Sequence, residues 1–467
     1  MLKEAIHIYG QEAPVSVTKL AGRATRHRAA VGCAALLMVL GTAACGGGSS
    51  PRAVHQDPKA QLEIWVRKPA GSPTEKVFKD LAATFTAKTG IPTNVTALFD
   101  DFETKLQQAA ATKKLPDLVI NDTDQVGTMV KQGIVRPVDK STIAGGGNLT
   151  AVSWSAAQAS DNKYYGVPFS AQSFALLIRS DWRKRVGAGQ PKNWDDLVSL
   201  AKAFTDSDPD GNGKADTYGF NVPGATKRGY MSWFFSSFLW SGGGDFFTAR
   251  NGRYTQAVNS PAALSSTTWF KGLFCDSKVV QPGAVTMETT PAHQAFESGK
   301  VGIYFTGPYL LGRFDRTLGR DRYEVVALPA GPSGRSVSLA EGENIYLMAG
   351  SRNQAGQQKF AEYAISTEGQ TIGMSVDNAE GAVVRLPVNT TIDMPSLRKD
   401  PRWDVFAKAY SDGGRYFPHL PNWTAFRQSS AETINGIVAN CGSDPKAELD
   451  KLASSFGAEL TRQGVAG

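Results

Sequence analysis

Apolar and polar residues follow strand and helix periods in turn along the first part of the chain. Residues 62–66 alternate as a strand, and residues 72–90 begin with a capping box, place apolar residues on one helical face and end at a glycine. A strand at 94–98, a helix at 101–111 and a strand at 116–120 continue this order. Strands that alternate with helices predict a largely parallel α/β layer, in which ligands gather beyond the carboxyl ends of the strands.

A second set of elements begins in the middle of the chain. Residues 174–179 predict a strand, Asn193 stands where it can cap a helix, and residues 230–244 are rich in aromatic residues and glycine. A strand at 301–305 follows, and the C-terminal part is predicted to be mostly helical. The chain has 467 residues, which is too long for one ordinary core and suits two domains.

The N-terminus has the pattern of a secretory signal that ends at a cysteine. A basic segment precedes a short apolar stretch, and small residues precede Cys45. The apolar stretch is too short to span a bilayer as a stable helix. The segment resembles the lipobox of bacterial lipoproteins, although Thr42 stands where Leu, Val or Ile is usual. The resemblance implies that Cys45 is diacylated and holds the protein on the extracellular face of the cell membrane. An ordinary secreted protein is the alternative.

Processing at this cysteine changes the composition of the chain. Residues 1–44 would leave as the signal peptide, and residues 45–59 would form a flexible tether. The formal net charge of +7 falls to about +4 without the signal peptide. No long run of Lys and Arg follows, so the mature chain lacks the electrostatic pattern of a nucleic-acid-binding protein. It also lacks nucleophile-elbow, zinc-binding and Walker motifs.

Two cysteines remain well inside the mature chain, Cys275 and Cys441. An even pair in an oxidising compartment favours one disulfide that joins distant parts of the chain. Two buried free thiols are the alternative. Neither cysteine has the spacing of a metal ligand, so the sequence gives them no catalytic or metal-binding role.

An Asp- and Gly-rich segment at residues 206–216 carries the sharpest metal signal in the sequence. Oxygen ligands at alternating positions, with glycines for the tight turn, suit a hard cation such as calcium. The segment lacks the terminal glutamate of an EF-hand, and an Asp/Gly-rich surface turn without metal is the alternative. The expected role is structural rather than ligand-binding. The predicted ligands are Asp208, Asp210, Asn212, the Lys214 carbonyl and Asp216.

Five short motifs stand in a specific order between residues 60 and 400. Each motif is weak alone, and the order and spacing of all five carry the information. On these motifs the chain resembles the extracellular solute-binding proteins of bacterial ABC importers, in the family that includes maltose- and oligosaccharide-binding proteins. The motifs lie at residues 116–119, 165–168, 295–302, 306–309 and 359–363.

The resemblance implies an α/β fold of the type II periplasmic-binding-protein class, with a ligand cleft between two hinged lobes. Closure over a ligand would be the signal that the permease subunits of an importer recognise. We expect a monomeric, non-enzymatic receptor without an organic cofactor, which contacts the membrane only through its lipid. The resemblance implies hinge crossings near Pro168, Leu339 and Gly299, lobe 1 at 60–167 and 300–338, and lobe 2 at 168–299 and 339–467.

Sugar binding needs flat aromatic faces and planar polar side chains, placed in loops that follow strands. Trp233 and Trp240 are the best aromatic platforms, although a segment this apolar also contains core. Trp65 lies within a strand, where core packing is the alternative, and Asp122 and Asp124 could instead cap a helix. The candidate ligand-binding residues are Trp65, Asp122, Asp124, Gln125, Trp233, Trp240, Gly243, Tyr309, Glu341, Glu343, Arg385 and Trp423.

The resemblance bears on three of these candidates. Tyr309 matches the position where relatives often place a stacking aromatic residue. Glu341 and Glu343 lie where the family tends to be rich in glycine and serine, so this chain departs from the pattern there. Two carboxylates in that loop could bind hydroxyl groups or attract a cationic group of the ligand.

Three functions remain open on the sequence alone. The leading one is a receptor that delivers a mono- or oligosaccharide to an ABC importer. A secreted carbohydrate-active lipoprotein enzyme that uses paired carboxylates is the second, because any two carboxylates of the chain could meet in space. The third keeps the receptor fold and exchanges the sugar for a peptide, a polyamine or a metal chelate.

Overall fold

A computed structural model describes nearly all of the chain beyond the predicted tether. Within the described ranges, no helix combines the length and the apolar composition needed to cross a bilayer. The predicted signal peptide, Cys45 and the tether up to residue 54 lie outside the described residues. The described residues are 55–99, 101–374, 385–393, 396 and 398–467.

The described residues form strands and α-helices along their whole length, and the two kinds of element alternate most regularly in the first part of the chain. The strands are β1 (Leu62–Arg67), β2 (Thr93–Leu98), β3 (Leu118–Asp122), β4 (Val167–Gln172), β5 (Ala175–Arg179), β6 (Tyr218–Asn221), β7 (Phe247–Arg250), β8 (Arg253–Gln256), β9 (Val301–Thr306), β10 (Tyr323–Val326), β11 (Ser338–Leu339), β12 (Glu341–Leu347), β13 (Leu386–Pro387) and β14 (Gly414–Arg415). The helices are α1 (Pro73–Thr89), α2 (Phe102–Ala111), α3 (Val126–Lys131), α4 (Ala151–Ser155), α5 (Ser180–Arg185), α6 (Trp194–Asp206), α7 (Tyr230–Ser241), α8 (Pro261–Cys275), α9 (Thr289–Glu297), α10 (Leu311–Thr317), α11 (Gln354–Ala364), α12 (Thr367–Gly373), α13 (Arg402–Gly413), α14 (Trp423–Ala439) and α15 (Pro445–Gln463).

Local signals explain where the first helix begins and ends. The Ser72 hydroxyl accepts the backbone N–H of Glu75 at 3.1 Å, and Pro73 occupies the first helical position. Gly90 adopts a left-handed φ of 71° at the C-terminus, which glycine adopts at little cost. The face with Phe78 and Phe85 is buried against the first sheet and its helices. The predicted α1 is therefore confirmed.

The first sheet contains six strands in the order β13-β4-β12-β3-β1-β2. β1 pairs in parallel with β2 and with β3, so that Ile64 lies between Val95 and Leu118. β12 enters antiparallel between β3 and β4, although it comes from much later in the chain. The carboxyl ends of β1 and β3 therefore lie at the same edge of the sheet, and residues that follow both strands can meet there.

The second sheet contains four strands in the order β10-β5-β9-β6. β9 pairs antiparallel with β5 and parallel with β6, and every one of its residues is buried. Ile303 and Phe305 pack in a core with α6, α7, α8 and α14, whereas Tyr304 packs with α9 and α10 on the other side. Each sheet thus forms the centre of one lobe with helices on both faces.

The sheets correct the predicted lobe boundaries. Residues 300–338 do not complete the first lobe, because β9 and β10 both pair with β5 of the second sheet. The start of 339–467 does not complete the second lobe either, because β12 pairs with β3 and β4 of the first sheet. Helices α14 and α15 do pack in the second lobe, as predicted. The boundaries that the resemblance implied are therefore wrong for these three strands, and a buried strand has the same apolar pattern in either sheet.

The chain passes between the sheets at two of the three predicted places. It crosses from β4 to β5 just beyond Pro168, at residues 173–174, and it crosses back next to Leu339. The predicted crossing near Gly299 is wrong, because Gly299 joins α9 to β9 and both belong to the second lobe. The third crossing follows β13, after which α14 packs against α7 and α8.

The predicted disulfide between Cys275 and Cys441 is confirmed. The two cysteines are 166 positions apart in sequence, with their Cα atoms 5.5 Å apart. The bond joins the last residue of α8 to the loop between α14 and α15. Three helices of the second lobe are thus held together at one end.

Candidate functional site

A cavity of about 840 Å³ lies between the two lobes. The first lobe contributes residues that follow β1 and β3, and the second lobe contributes the first turn of α7 and the turn after β9. Its size is in the range of pockets that hold small molecules, roughly 300–1,000 Å³. Half of the sequence-based ligand candidates line it, namely Asp122, Asp124, Trp233, Tyr309, Glu341 and Arg385.

Trp240 and Trp423 do not face the cavity, which corrects their predicted role. Each is only 1% exposed. Trp240 contacts Phe246 and Phe417, and Trp423 stacks on Phe417 with ring centroids 4.7 Å apart. Helix α7 is apolar on nearly every side, so that only its first turn reaches the cleft while its last turn is embedded in core. The core alternative is the right one for both tryptophans.

Four further candidates also lie outside the cavity lining. Trp65 packs beside the core of α2 and α3, and the Gln125 amide donates to Asp124 Oδ1 at 2.8 Å, behind the lining. Gly243 has a φ of 90° in the turn after α7, so glycine is needed there for the backbone. Glu343 is buried, and it contacts Lys68 of the lining. Gln125 and Glu343 therefore keep an indirect connection with the site, through Asp124 and Lys68 respectively.

An ion pair connects Lys68 of the cavity lining with Glu343, which does not itself line the cavity. Both side chains are less than 10% exposed, and Ser170 Oγ donates to the other carboxylate oxygen of Glu343 at 3.0 Å. Burial alone would raise the pKa of Glu343, but the facing cations Lys68 and Arg385 hold this pKa at about 2. Glu343 is thus a permanent anion that positions two cations at the cavity.

Glu341 has the opposite electrostatic environment, two residues away on the same strand. Burial raises its pKa to about 7, and the carboxylate of Asp122 adds to the shift. The Gln172 side-chain amide donates to Glu341 Oε2 at 2.5 Å. Near neutral pH, this carboxyl group can therefore either donate or accept a hydrogen bond from a ligand in the cavity.

Asp122 and Asp124 form ion pairs at the carboxyl end of β3. Asp122 Oδ2 lies 2.8 Å from Arg67 Nη1, and Asp124 Oδ2 lies 2.6 Å from Arg427 Nη1. Neither carboxylate caps the helical turns that follow, which excludes the capping alternative. Because Arg427 belongs to α14 of the second lobe, its pair with Asp124 connects the two lobes across the cleft.

The aromatic surfaces of the cavity come from both lobes. Trp233 lies in the first turn of α7, with the Arg427 guanidinium 5.2 Å from its ring centroid and the Tyr230 ring 5.6 Å away. The Tyr309 hydroxyl is 3.1 Å from Thr306 Oγ1 at the end of β9. Phe99, in the first lobe, contacts two arginines. These rings offer the flat faces that sugar C–H groups pack against.

Several cavity residues escaped the sequence analysis. Arg67 is the last residue of β1 and Lys68 follows it, so the rule that ligands gather at the carboxyl ends of strands could have found both. Arg228 has no such signal, since it reaches the cavity from a turn with a left-handed φ of 56°. The missed residues with a polar group or an aromatic ring include Arg67, Lys68, Phe99, Gln172, Arg228, Tyr230, Trp403, Tyr416 and His419.

The Asp- and Gly-rich segment forms a surface turn after α6. Asp208 accepts the backbone N–H groups of Gly211, Asn212 and Gly213. The Asn212 side-chain nitrogen lies 2.9 Å from Asp210 Oδ2 and 3.2 Å from Asp216 Oδ1. A cation between these carboxylates would therefore require the Asn212 side-chain amide to flip, so that its oxygen replaces its nitrogen. Among the described residues, no three Asp, Glu, His or Cys side chains gather as a metal site. Calcium, through these side chains and the Lys214 carbonyl, stays a prediction.

Comparison with known proteins identifies the family of this two-lobed chain. Residues 70–371 match the family of bacterial extracellular solute-binding proteins. The chain belongs to this family. Solute-binding proteins are non-enzymatic receptors, so this membership confirms the prediction that the chain is not an enzyme. The predicted type II periplasmic-binding-protein fold is confirmed by solved structures of this class.

Three of the similar proteins illustrate the range of the match. A putative binding protein of Brucella abortus is 25% identical over 358 residues, which are 74% of this chain and 80% of that protein. The GacH receptor of Streptomyces glaucescens, solved unliganded and with acarbose, has a TM-score of 0.72 at 19% identity over 87% of this chain and 99% of that one. A Thermotoga lettingae solute-binding protein with bound alpha-D-tagatose has a TM-score of 0.71 at 20% identity over 86% and 100%.

Proposed function

We propose that this solute-binding protein takes up a saccharide in the cleft and delivers it, by closure of the lobes, to an ABC importer. The observation that carries the proposal is the composition of the cavity. Aromatic rings of Phe99, Trp233 and Tyr309 surround planar polar groups that include Gln172 and the carboxyl of Glu341. Sugars are bound by this combination, because rings pack on C–H faces while planar groups bind pairs of hydroxyls.

Two observations support the delivery mechanism. The cavity is built from both lobes, so a ligand held by both favours the closed arrangement through its extra contacts. The Asp124–Arg427 pair already joins the lobes at the cleft. The acarbose-bound and tagatose-bound proteins share this fold, which is consistent with a saccharide in the same place.

We also propose that the mature protein is anchored through lipid on Cys45. The support is the sequence alone, because Cys45 lies outside the described residues. Two acyl chains supply enough membrane affinity for stable anchoring, whereas a single chain binds only marginally. A receptor held in this way stays close to its permease, as a monomer on the extracellular face.

A thermal-shift screen of the mature chain tests the saccharide proposal. The panel contains mono- and oligosaccharides, with amino acids, short peptides and polyamines as controls. We expect one saccharide class to raise the melting temperature, since a ligand at 100 times its Kd stabilises the folded state by about 2.7 kcal/mol. Stabilisation by a peptide or polyamine alone, with no response to any saccharide, would overturn the proposal.

A further inference from the structure

The walls of the cleft carry more positive than negative charge. Among the described residues, eight Arg and Lys side chains line the cavity, against five Asp and Glu side chains. The excess lies inside a cavity between two lobes, where the surrounding protein strengthens electrostatic interactions with a bound ligand. Whether this excess of positive charge is available to a ligand depends on which of the side chains already form ion pairs.

The carboxylates of the cavity already have partners. Asp122 pairs with Arg67 and Asp124 with Arg427, which does not itself line the cavity. Two further lining carboxylates, Asp315 and Asp400, both pair with one arginine of α13. Glu341 is the exception, since its hydrogen bond comes from the neutral Gln172 amide. Four of the five lining carboxylates are thus neutralised by cations.

Among the described residues, Arg385 and Arg228 of the lining lack a comparable partner, as does the exposed Arg316. Arg385 has its Nε 3.9 Å from Glu343 Oε2, which is too long for a hydrogen bond, and this Nε makes no hydrogen bond with the described residues. Its side chain is only 14% exposed. A guanidinium this buried is costly without hydrogen-bond acceptors. Among the described residues, the side chain of Arg228 contacts the Phe99 ring at 5.3 Å and has no carboxylate within ion-pair distance.

The guanidinium group of an arginine favours particular chemical groups on a ligand. Its planar donors fit the two oxygens of a carboxylate or phosphate in a forked arrangement. The electrostatic interactions of Arg385 reach Glu341 and Tyr309 of the same cavity, so a group bound to Arg385 lies beside the polar and aromatic lining. The raised pKa of Glu341 is compatible with a nearby ligand anion, because the protonated carboxyl does not repel it.

We propose that the solute is an anionic saccharide, whose carboxylate or phosphate group is bound by Arg385, with Arg228 as a second cation at the cleft. The inference rests on the proposed saccharide receptor and narrows its ligand class. It also replaces the expectation of a cationic ligand group, because Glu343 and four of the five lining carboxylates already pair with cations, which leaves Glu341 as the one without a cationic partner among the described residues.

Calorimetric titration of the mature chain tests this inference. The ligands are hexuronate oligosaccharides, the matching neutral oligosaccharides and sugar phosphates, each titrated into wild type, Arg385→Gln and Arg335→Gln. Arg335 is an exposed arginine outside the cavity and serves as the matched control. We expect an anionic ligand to bind wild type more tightly than its neutral counterpart, and Arg385→Gln to weaken that binding by about 10- to 100-fold. Neutral sugars should lose less than about threefold, and Arg335→Gln should change neither.

The possible outcomes separate the two proposals. Binding of hexuronates or of sugar phosphates identifies the anion as carboxylate or phosphate, and either result supports the inference. Neutral sugars that bind as tightly as anionic ones, with equal effects of Arg385→Gln on both, would overturn the anionic class and leave the saccharide receptor intact. Failure of every saccharide to bind would overturn the receptor proposal itself.

Discussion

Replacing Lys68 with methionine is expected to lower the free energy of unfolding by about 3–5 kcal/mol, because it leaves the carboxylate of Glu343 buried without its closest cation. Glu343 is 3% exposed, and its remaining cation, Arg385, lies 3.9 Å away. The methionine itself has nearly the same length and suits a buried position. The measurement is the urea-unfolding midpoint of the mature chain, with circular dichroism to confirm that the variant is folded.

A double variant separates a lost ion pair from damaged packing. Lys68→Met with Glu343→Leu removes both charges at once, and replacement of a whole buried ion pair by apolar residues is often neutral or stabilising. We therefore expect the double variant to recover most of the lost stability. A double variant as unstable as Lys68→Met, or a single variant that loses less than about 1 kcal/mol, would show that burial of the charge is not the cause.

Trp233→Ala is expected to weaken saccharide binding, whereas Trp240→Ala is expected to lower stability, although both residues belong to α7. Trp233 lines the cavity, so its loss should weaken saccharide binding by roughly 10- to 100-fold and change stability little. Trp240 is 1% exposed, so its removal should cost about 3–5 kcal/mol of stability through the cavity it leaves. Calorimetric titration measures the first effect and urea unfolding the second.

The milder variant Trp240→Phe serves as the control for this comparison. It keeps an aromatic ring in the core, so it should remain folded and bind the saccharide with nearly wild-type affinity. Loss of saccharide affinity in folded Trp240→Phe equal to that in Trp233→Ala would mean that the cleft is not the binding site. Unchanged affinity in Trp233→Ala would remove the stacking role of this tryptophan.

The first lobe was the more predictable part of the fold. Its strands and helices alternate along the chain, and local signals such as Ser72 and Gly90 mark the ends of α1. The association of distant segments was harder, because β12 joins the first sheet from a position more than 200 residues after β3. A buried strand has the same apolar pattern whichever sheet it enters. Tertiary packing therefore decides which lobe a strand joins, and the local sequence pattern does not.

The candidate site, like the fold, was only partly predictable from the sequence. Asp122 and Asp124 could be placed because they follow a strand end, and Tyr309 because it lies in a family motif. The tryptophans of α7 and α14 could not be separated into core and cleft by composition, because one helix serves both. Arg228 enters the cleft from a turn whose backbone conformation has no sequence signal.

Hydrogen exchange of the mature chain, with and without the most stabilising saccharide, tests the central claim most directly. A ligand held between the lobes should slow exchange in both of them, since closure restricts local opening on each side of the cleft. We predict protection at residues 122–125 of the first lobe together with residues 230–233 of the second. Protection confined to one lobe, or saccharide binding without protection at either segment, would contradict a receptor that closes over its solute.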